Sequence, residues 1–459
     1  MIPFPPQPPL SDEPRPWSFP RTVIRDLPNG LRVAAVRSDS LPIAQVRWVF
    51  GSGRIHEARS RLGSGLLLQR AMRHGTEHLE TRAFAETLDR LGARMGGGVT
   101  IDSSIVSISG VSQHLWRFVD LATDVALKPA LPEIAVAAER YKATQIHRHE
   151  WGQVENMASM WLLRSLYGEH PYGLPRTTVA GLKQTSVSDL MALHRAIVDP
   201  HRGLVLVVGK VDPDAIVQRL SDRYGGLPSN TTPVPIVPTP PQYRPSRMIL
   251  VTHEVAETTT VGFGLPAIAR NHPEHTALRA VNQMFGGSAS SRLFDALRNQ
   301  RGLCYGAYST LDCGKYSGDI TAIVSLSPDR AADGFSALYE QLQAVATGRF
   351  SSAELTHAKR FLVGAFSQRA TGLAGLANLA TAAWMHELPD DVWSLTQAHV
   401  NGVEMEQVAL SAQKWFVPQQ STWVAVGRPE SLEAIASVAT QRGLEVNHQT
   451  MADLEKACI

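Results

Sequence analysis

The stretch GGSASSRLFDALRNQRGLCY, residues 286–305, predicts a turn, a helix and the start of a strand. Its two opening glycines most simply supply turn geometry, because Gly adopts backbone conformations that other residues avoid. The residues that follow predict a helix over 291–300, and Gly302 is its expected end. Arg298 then lies near the end of that helix, and Tyr305 opens the next strand. The stretch therefore predicts an Arg and a Tyr, seven residues apart, at a helix–strand junction.

One arrangement of Pro and Gly occurs twice in the chain, about 220 residues apart. In the first half Pro200 leads into an apolar run and then Gly209, and in the second half Pro418 leads into an apolar run and then Gly427. Each proline precedes its glycine by nine residues. A second pair of similar segments has nearly the same spacing: AERY at 138–141 and AKRF at 358–361. Two matches in register indicate an internal duplication.

A proline-rich segment separates the two halves. Residues 229–245 read SNTTPVPIVPTPPQYRP and carry six prolines, so they cannot build a helix or a central strand. The predicted organisation is an extended proline-rich arm over 1–20, a first domain over 21–228, this linker, and a second domain over 246–459.

Within each half, short runs with strand character alternate with long helical patterns. Strands are predicted at 44–50, 105–111, 204–208, 259–264, 320–326 and 422–426. Phe84, Leu88 and Leu91 recur at helical spacing, and the turn Pro28-Asn-Gly30 predicts an antiparallel hairpin. The predicted fold class is α+β, with two homologous repeats that each pack helices on one face of a mostly antiparallel sheet.

Composition excludes several classes of partner. The 459 residues include 44 Lys and Arg against 42 Asp and Glu, a formal charge of +2, so no global charge favours nucleic acid or an anionic membrane. Cys304, Cys313 and Cys458 lack metal-type spacing and fit a reducing compartment. The start of the chain has neither region of a signal peptide, and no stretch approaches the ~18 apolar residues that span a bilayer. A cytoplasmic protein is expected.

Residues 286–305 are similar to the second-half signature of the pitrilysin/insulinase (inverzincin) peptidase family, which includes mitochondrial processing peptidase. Other similar pieces follow in the same order: Leu27–Leu31, Gly51–Gly53, Tyr167–Gly173 and Val207–Gly209. The resemblance covers nearly the whole chain, from about Leu27 to Gly427. It implies two homologous α+β halves that pair, like the halves of a clam shell, with a second such chain around a peptide-binding chamber.

Active members of that family carry His-x-x-Glu-His on the first long helix, where two His bind zinc and the Glu is the base for water. In the family the motif precedes a Gly-Thr pair, and counting back from Gly75-Thr76 puts Leu66–Arg70 in its place. Leu66 cannot ligate, Gln69 is no base, and Arg70 would repel a cation. The third-ligand region, about 144–147, also lacks a carboxylate. The resemblance therefore implies that this chain binds no zinc at the family position and that a partner supplies it.

The letters of the motif do occur at His74-Gly-Thr-Glu77-His78. The two His would share a face only on a continuous helix, yet Gly75 follows directly on an apolar helix and is the expected cap at its end. A turn is predicted there. The alternative, a self-sufficient metallopeptidase that uses His74, Glu77 and His78, stays open at this stage.

In the family, the second half of the metal-free subunit contributes an Arg and a Tyr to the partner's zinc site. The resemblance assigns Arg298 and Tyr305 to this role, in both substrate binding and catalysis. It implies a zinc-less subunit of a heterodimeric zinc endopeptidase, inactive without a homologous partner that carries the intact motif. A structural paralogue without proteolytic function, like the respiratory-complex subunits that resemble this family, is the other alternative.

Overall fold

Two six-stranded sheets, one in each half of the chain, form the framework of the protein. The computed structural model describes residues 17–228, 237, 239–240, 246–450, 452–453 and 456. The predicted linker at 229–245 therefore lies almost wholly outside the described residues, as does most of the predicted arm at 1–20. Cys458 also lies outside them.

The strand order is the same in both sheets except at one edge. The first sheet contains β1 (Thr22–Asp26), β2 (Arg32–Arg37), β3 (Ile43–Phe50), β4 (Arg94–Val99), β5 (Ser104–Val111) and β6 (Gly203–Gly209), in the order β1-β2-β6-β3-β5-β4. The second contains β7 (Arg247–Thr252), β8 (Thr259–Ala267), β9 (Tyr308–Cys313), β10 (Gly318–Leu326), β11 (Thr422–Gly427) and β12 (Glu445–Gln449), in the order β12-β7-β11-β8-β10-β9. All six predicted strands are present within these bounds.

The sheet topology confirms the predicted duplication. In each repeat the first strand of the shared set, β2 or β7, runs parallel to the last, β6 or β11. The remaining shared neighbours pair antiparallel. The edges differ, because β1 joins β2 through the predicted antiparallel hairpin whereas β12 runs parallel to β7. Each repeat is thus a mostly antiparallel sheet, as predicted.

Helices occupy equivalent places in the two repeats. The first half contains α1 (Ser64–Ala71), α2 (Thr81–Arg90), α3 (Leu115–Leu127), α4 (Glu133–Trp151), α5 (Val154–Tyr167), α6 (Val179–Gln184), α7 (Val187–Ile197) and α8 (Pro213–Tyr224). The second contains α9 (His275–Gly286), α10 (Arg292–Phe294), α11 (Ala331–Ala346), α12 (Ser352–Arg369), α13 (Gly372–Met385), α14 (Val392–Asn401), α15 (Met405–Trp415) and α16 (Pro429–Gln441). Capping boxes begin α7 at Ser186 and α12 at Ser351.

Each half packs its own helices on one face of its own sheet. In the first half this core contains Trp48 and Phe118, and in the second half it contains Phe335 and Trp423, all four with no exposed surface. Burial of such aromatic side chains contributes a large share of the apolar area removed from water.

The opposite face of each sheet is covered by a helix from the other half, which the sequence did not predict. Leu376 and Ala377 of α13 pack on Leu204 and Leu206 of the first sheet. In return, α5 packs on the second sheet, with Trp161 and Leu162 in the same cluster as Val424 and Val426. The physical reason is the central strands: β6 is buried at every position, so both of its faces need apolar cover.

Two tyrosine hydroxyls add polar contacts between the halves. The Tyr167 hydroxyl donates to Asp319 Oδ2 of the second half at 2.8 Å. The Tyr172 hydroxyl accepts from the Tyr316 amide of the second half at 3.3 Å and donates to Asp102 Oδ2 of its own half at 2.7 Å. The Lys315 amide, in the β9–β10 turn, donates to the same Asp102 oxygen at 3.1 Å. Both tyrosines belong to the segment 167–173 that carries the family resemblance, so this segment joins the two repeats.

We expect Asp319→Asn to make the protein less sensitive to pH. Burial raises the pKa of Asp319 to about 7, from 3.8. Because the folded pKa lies above the unfolded one, the contribution of Asp319 to the free energy of unfolding falls as pH rises from about 4 to about 7. The variant should gain stability relative to the natural chain in that window, by at most about 1.4 kcal/mol per pH unit. Urea unfolding of both chains at pH 5 and pH 8 measures this difference.

The contributions of other titrating groups cancel in the difference between the two free energies of unfolding, because both chains contain these groups. A difference that stays constant between pH 5 and pH 8 would contradict the raised pKa. Tyr167→Phe is the matched control, since it removes the hydrogen bond and keeps the carboxyl group.

Among the described residues, no helix combines the length and the apolar character that crossing a bilayer requires.

Candidate functional site

The helix that carries Arg298 is anchored at its beginning by an ion pair. Arg292 Nε lies 2.6 Å from Glu354 Oε1, and Glu354 is also part of the capping box of α12. Burial alone would raise the pKa of Glu354, but the hydrogen bonds from Arg292 and Ser351 outweigh it and hold the pKa at about 2. The start of α10 is therefore fixed against α12.

Arg298 lies on an exposed face of this helix. After α10 the helix continues over Asp295–Gln300 with π-type geometry. The Arg298 guanidinium carbon lies 4.7 Å above the centre of the Phe294 ring, and this contact orients the side chain. Gly302 ends the helix, as predicted, with φ +57° and its amide bonded to the Arg298 carbonyl.

Tyr305 projects from the loop that follows the helix. The structure corrects the prediction that Tyr305 opens a strand, because β9 begins at Tyr308. Tyr305 is 98% exposed, whereas most tyrosines keep at least the ring partly covered. Arg298 thus lies on a helix and Tyr305 on a short loop between that helix and an edge strand. Both side chains are free to contact another molecule.

The position where the resemblance places the zinc motif does not suit a cation. Leu66, Gln69 and Arg70 all lie on α1. The Gln69 amide is buried and donates to the Ile105 carbonyl at 2.9 Å, so it ties α1 to β5. An apolar side chain, a bonded amide and a guanidinium offer no ligand set for zinc.

The second occurrence of the motif letters lies in a turn, as predicted. The helix changes to a tighter turn at Met72–His74, and Gly75 then takes φ +120°. Thr76 forms isolated bridges to Leu79 and Pro129. His74 and His78 are therefore not separated by a helical turn, which the motif requires.

His74 instead contacts a carboxylate of α4. Its Nε2 lies 3.2 Å from Glu139 Oε1, and Lys142 Nζ lies 2.8 Å from the same oxygen. Across the part of the chain that the structure describes, no group of three or more His, Cys, Asp or Glu side chains has an arrangement that could hold a metal ion. His74, Glu77 and His78 are not brought together as a ligand set.

The third-ligand region carries a buried His. His147, on α4, has its Nδ1 2.9 Å from Thr177 Oγ1 and its ring against Trp151. Burial lowers the pKa of His147 to about 4, helped by the charge of Arg148, so this imidazole is neutral at pH 7. It is a core residue at this position, and the sequence offered no signal for its partners.

Comparison with known families finds two matches along this chain. Residues 32–178 match the family described as "Insulinase (Peptidase family M16)". Residues 185–362 match the family described as "Peptidase M16 inactive domain". The first match covers the repeat with the altered zinc position, and the second covers most of the helices and strands around Arg298 and Tyr305.

Among curated proteins, an uncharacterized zinc protease of Mycobacterium bovis is 28% identical over 343 residues, which cover 74% of this chain and 78% of that protein. The zinc protease PqqE of Helicobacter pylori is 22% identical over 415 residues, which cover 87% of this chain and 91% of that protein.

Among solved structures, a peptidase M16 inactive domain from Pseudomonas fluorescens superposes with a TM-score of 0.82 at 20% identity. The superposition covers 89% of this chain and 98% of that one. A protease from Helicobacter pylori gives the same TM-score at 19% identity. These likenesses support the fold that the two repeats build.

Proposed function

Since the chain belongs to the M16 (insulinase) peptidase family, we propose that it is the metal-free subunit of a two-chain zinc endopeptidase. Its partner would be a homologous chain with an intact His-x-x-Glu-His motif. The observation that carries the proposal is the combination of an α1 without zinc ligands and a second repeat that presents Arg298 and Tyr305 to solvent.

Arg298 and Tyr305 would act on the peptide in the partner's site. Hydrolysis of a peptide develops negative charge on the carbonyl oxygen, and a hydrogen-bond donor aimed at that oxygen lowers the barrier. The Tyr305 phenol supplies one such donor. The Arg298 guanidinium supplies a fixed positive charge and a fork of donors for the neighbouring carbonyl groups. The partner's zinc would supply the activated water.

The exposure of Tyr305 supports an assembly with another chain. An isolated, fully solvated phenol would be poorly oriented and surrounded by water, which weakens its hydrogen bond to an oxyanion. A partner that closes over the loop would remove this water and fix the ring. The same closure would enclose the peptide in a chamber between the two chains.

The proposal includes two further expectations about setting. Cys304 and Cys313 are free thiols, which supports a reducing compartment such as the cytoplasm. Substrates would be peptides or precursor segments small enough to enter the chamber, bound in part by strand addition to a sheet edge.

Reconstitution tests this proposed function. The chain is purified alone, and its zinc content is measured by elemental mass spectrometry. It is then mixed with a homologue from the same organism that bears the intact motif, and hydrolysis of a quenched fluorescent peptide library is followed. We expect much less than one zinc per isolated chain, no hydrolysis by either chain alone, and hydrolysis by the mixture.

Two results would overturn the proposal in different ways. Zinc near one per isolated chain, lost in His74→Ala and His78→Ala, would establish a self-sufficient peptidase. The other result is a stable complex of this chain with the homologue, in which neither the complex nor the homologue alone cuts any peptide. That result would support a structural subunit. The matched control for the two His variants is His114→Ala, a His in a short turn of the first repeat.

A further inference from the structure

A cavity of about 690 Å³ lies in the second repeat between α9, β9, α12 and α13. Three arginines line it: Arg270 from the loop before α9, Arg279 from α9 and Arg369 from the end of α12. No Asp or Glu of the described residues lines this cavity. Three positive charges therefore share one space without a negative one.

The three guanidinium groups also lack ion-pair partners elsewhere in the described ranges. Arg270 lies 5.7 Å from the centre of the Trp393 ring, which is a weak contact at that distance. Burial lowers the pKa of Arg279 to about 10, and the charges of Arg270 and Arg369 add to this effect. Arg270 and Arg279 are half-buried, and like charges in that setting oppose folding unless an anion compensates them.

Neutral groups complete the cavity wall and add hydrogen-bond donors. Burial lowers the pKa of His275 to about 2 and that of His386 to about 4, with nearby arginines contributing to both shifts. Neither imidazole adds charge at pH 7. The Gln283 side-chain nitrogen is buried in the same wall and has no hydrogen-bond partner among the described residues. An unpaired buried donor favours an acceptor on a ligand.

In the second repeat, the cavity lies at the place equivalent to the altered zinc position of the first repeat. The chain order β3, α1, β4, β5, α3, α4 in the first repeat recurs as β8, α9, β9, β10, α11, α12 in the second. The space between α1, α4 and β4 is therefore equivalent to the space between α9, α12 and β9. The second repeat carries arginines at this place, beside an edge strand that pairs only with β10 in the described sheet.

A second cavity, of about 680 Å³, adjoins the first and lies between the two repeats. The two share Cys313, Asn378, Ala382 and His386 in their walls. The second cavity has a mixed wall, with Asp102, Asp312 and Asp319 beside three arginines, so the carboxylate site is confined to the first cavity. The first cavity alone offers more room than a single small oxyanion fills.

We propose that the cavity with Arg270, Arg279 and Arg369 binds the carboxylate groups of a peptide, from acidic side chains or from its C-terminus. Each guanidinium offers a planar fork of donors that matches a carboxylate in two parallel hydrogen bonds. This proposal rests on the proposed function, because that function is the reason to expect a peptide as the ligand. It adds a preference for acidic segments, bound in a cavity whose described wall includes neither Arg298 nor Tyr305.

Fluorescence anisotropy on the isolated full-length chain tests this site. The probes are a labelled peptide of alternating Ala and Glu and a peptide of equal length with Gln in place of Glu, both with a free and with an amidated C-terminus. We expect the Glu peptide to bind more tightly than the Gln peptide. Arg279→Gln should weaken the binding of the Glu peptide by roughly 10- to 100-fold, because a charge-assisted hydrogen bond is lost.

The controls separate local binding from general charge and from folding. Arg219→Gln removes the same charge from an exposed position on α8 and should leave the affinity unchanged. Arg369→Gln, at an exposed helix end, provides a second variant should Arg279→Gln fold poorly. Thermal unfolding should show Arg279→Gln no less stable than the natural chain, since the substitution relieves repulsion.

Three outcomes would overturn the proposed site: equal binding of the Glu and Gln peptides, unchanged affinity in both arginine variants, or binding of inorganic phosphate in place of the Glu peptide. The last outcome would assign the cavity to phosphate. No hydrolysis is measured, so this test can fail while the two-chain enzyme remains active. Conversely, if the two chains together hydrolyse no peptide, these affinities would still support a carboxylate-binding site.

Discussion

We expect Tyr305→Phe to lower kcat of the reconstituted two-chain enzyme by roughly 10²- to 10³-fold. The substitution removes one hydroxyl, and with it one donor to the oxygen that becomes negative in the transition state. Stability should not change, because the side chain is 98% exposed. KM should change little, since the lost interaction forms mainly in the transition state.

The chain offers a close control for this experiment. Tyr308 lies three residues later, at the start of β9, is also partly exposed, and has its ring centre 5.4 Å from that of Phe294. Tyr308→Phe removes the same hydroxyl group and should leave kcat within about twofold, because a single exposed hydroxyl contributes little. Equal activity of Tyr305→Phe and the natural chain would remove Tyr305 from the catalytic residues.

Arg298 differs from Tyr305 in how far its own chain fixes the position of the side chain. Its guanidinium rests on Phe294, and its helix is anchored through Arg292 and Glu354, so the chain prepares its position before any partner binds. Tyr305 is 98% exposed and receives no such support from the described residues. The pair thus combines a positioned cation with an exposed donor, which agrees with the proposed two-chain enzyme.

The strands and the duplication were predictable because they depend on local patterns. Apolar runs such as Leu204–Val208 and Thr422–Val426 have the length of strands. Gly302 indicates a helix end whatever surrounds the helix in the folded protein. The turn at Gly75 was predictable for the same reason. It needs a positive φ, which Gly adopts without strain.

The features that escaped prediction are those that depend on distant segments. Nothing local to Leu376 indicates that it covers a strand about 170 residues earlier. Arg270, Arg279 and Arg369 are ordinary polar positions in the sequence, and only the packing of α9 against α12 brings them around one cavity. The prediction that Tyr305 opens a strand was wrong for a different reason. Strand β9 begins three residues later, after Gly306, where its pairing with β10 begins.

The exchange of helices between the repeats predicts that damage in one half unfolds the other. Leu162 lies on α5 of the first half, is 1% exposed, and packs on the second sheet near Gly264. We expect Leu162→Asp to lower the free energy of unfolding by roughly 5 kcal/mol, because it leaves a cavity and buries an unpaired carboxylate. This cost is comparable to the whole stability of a typical domain.

The location of the damage decides whether the repeats fold as one unit. Hydrogen exchange followed by mass spectrometry should show lost protection in β7, β8 and β11, although the substitution lies in the first half. Asn156→Asp adds the same charge at an exposed position on the same helix and should leave protection unchanged. Loss confined to the first half would mean that the second sheet is stable without α5. Loss in both halves would mean that the two repeats form a single cooperative structure, so that the sheet beside the Tyr305 loop depends on a helix of the other half.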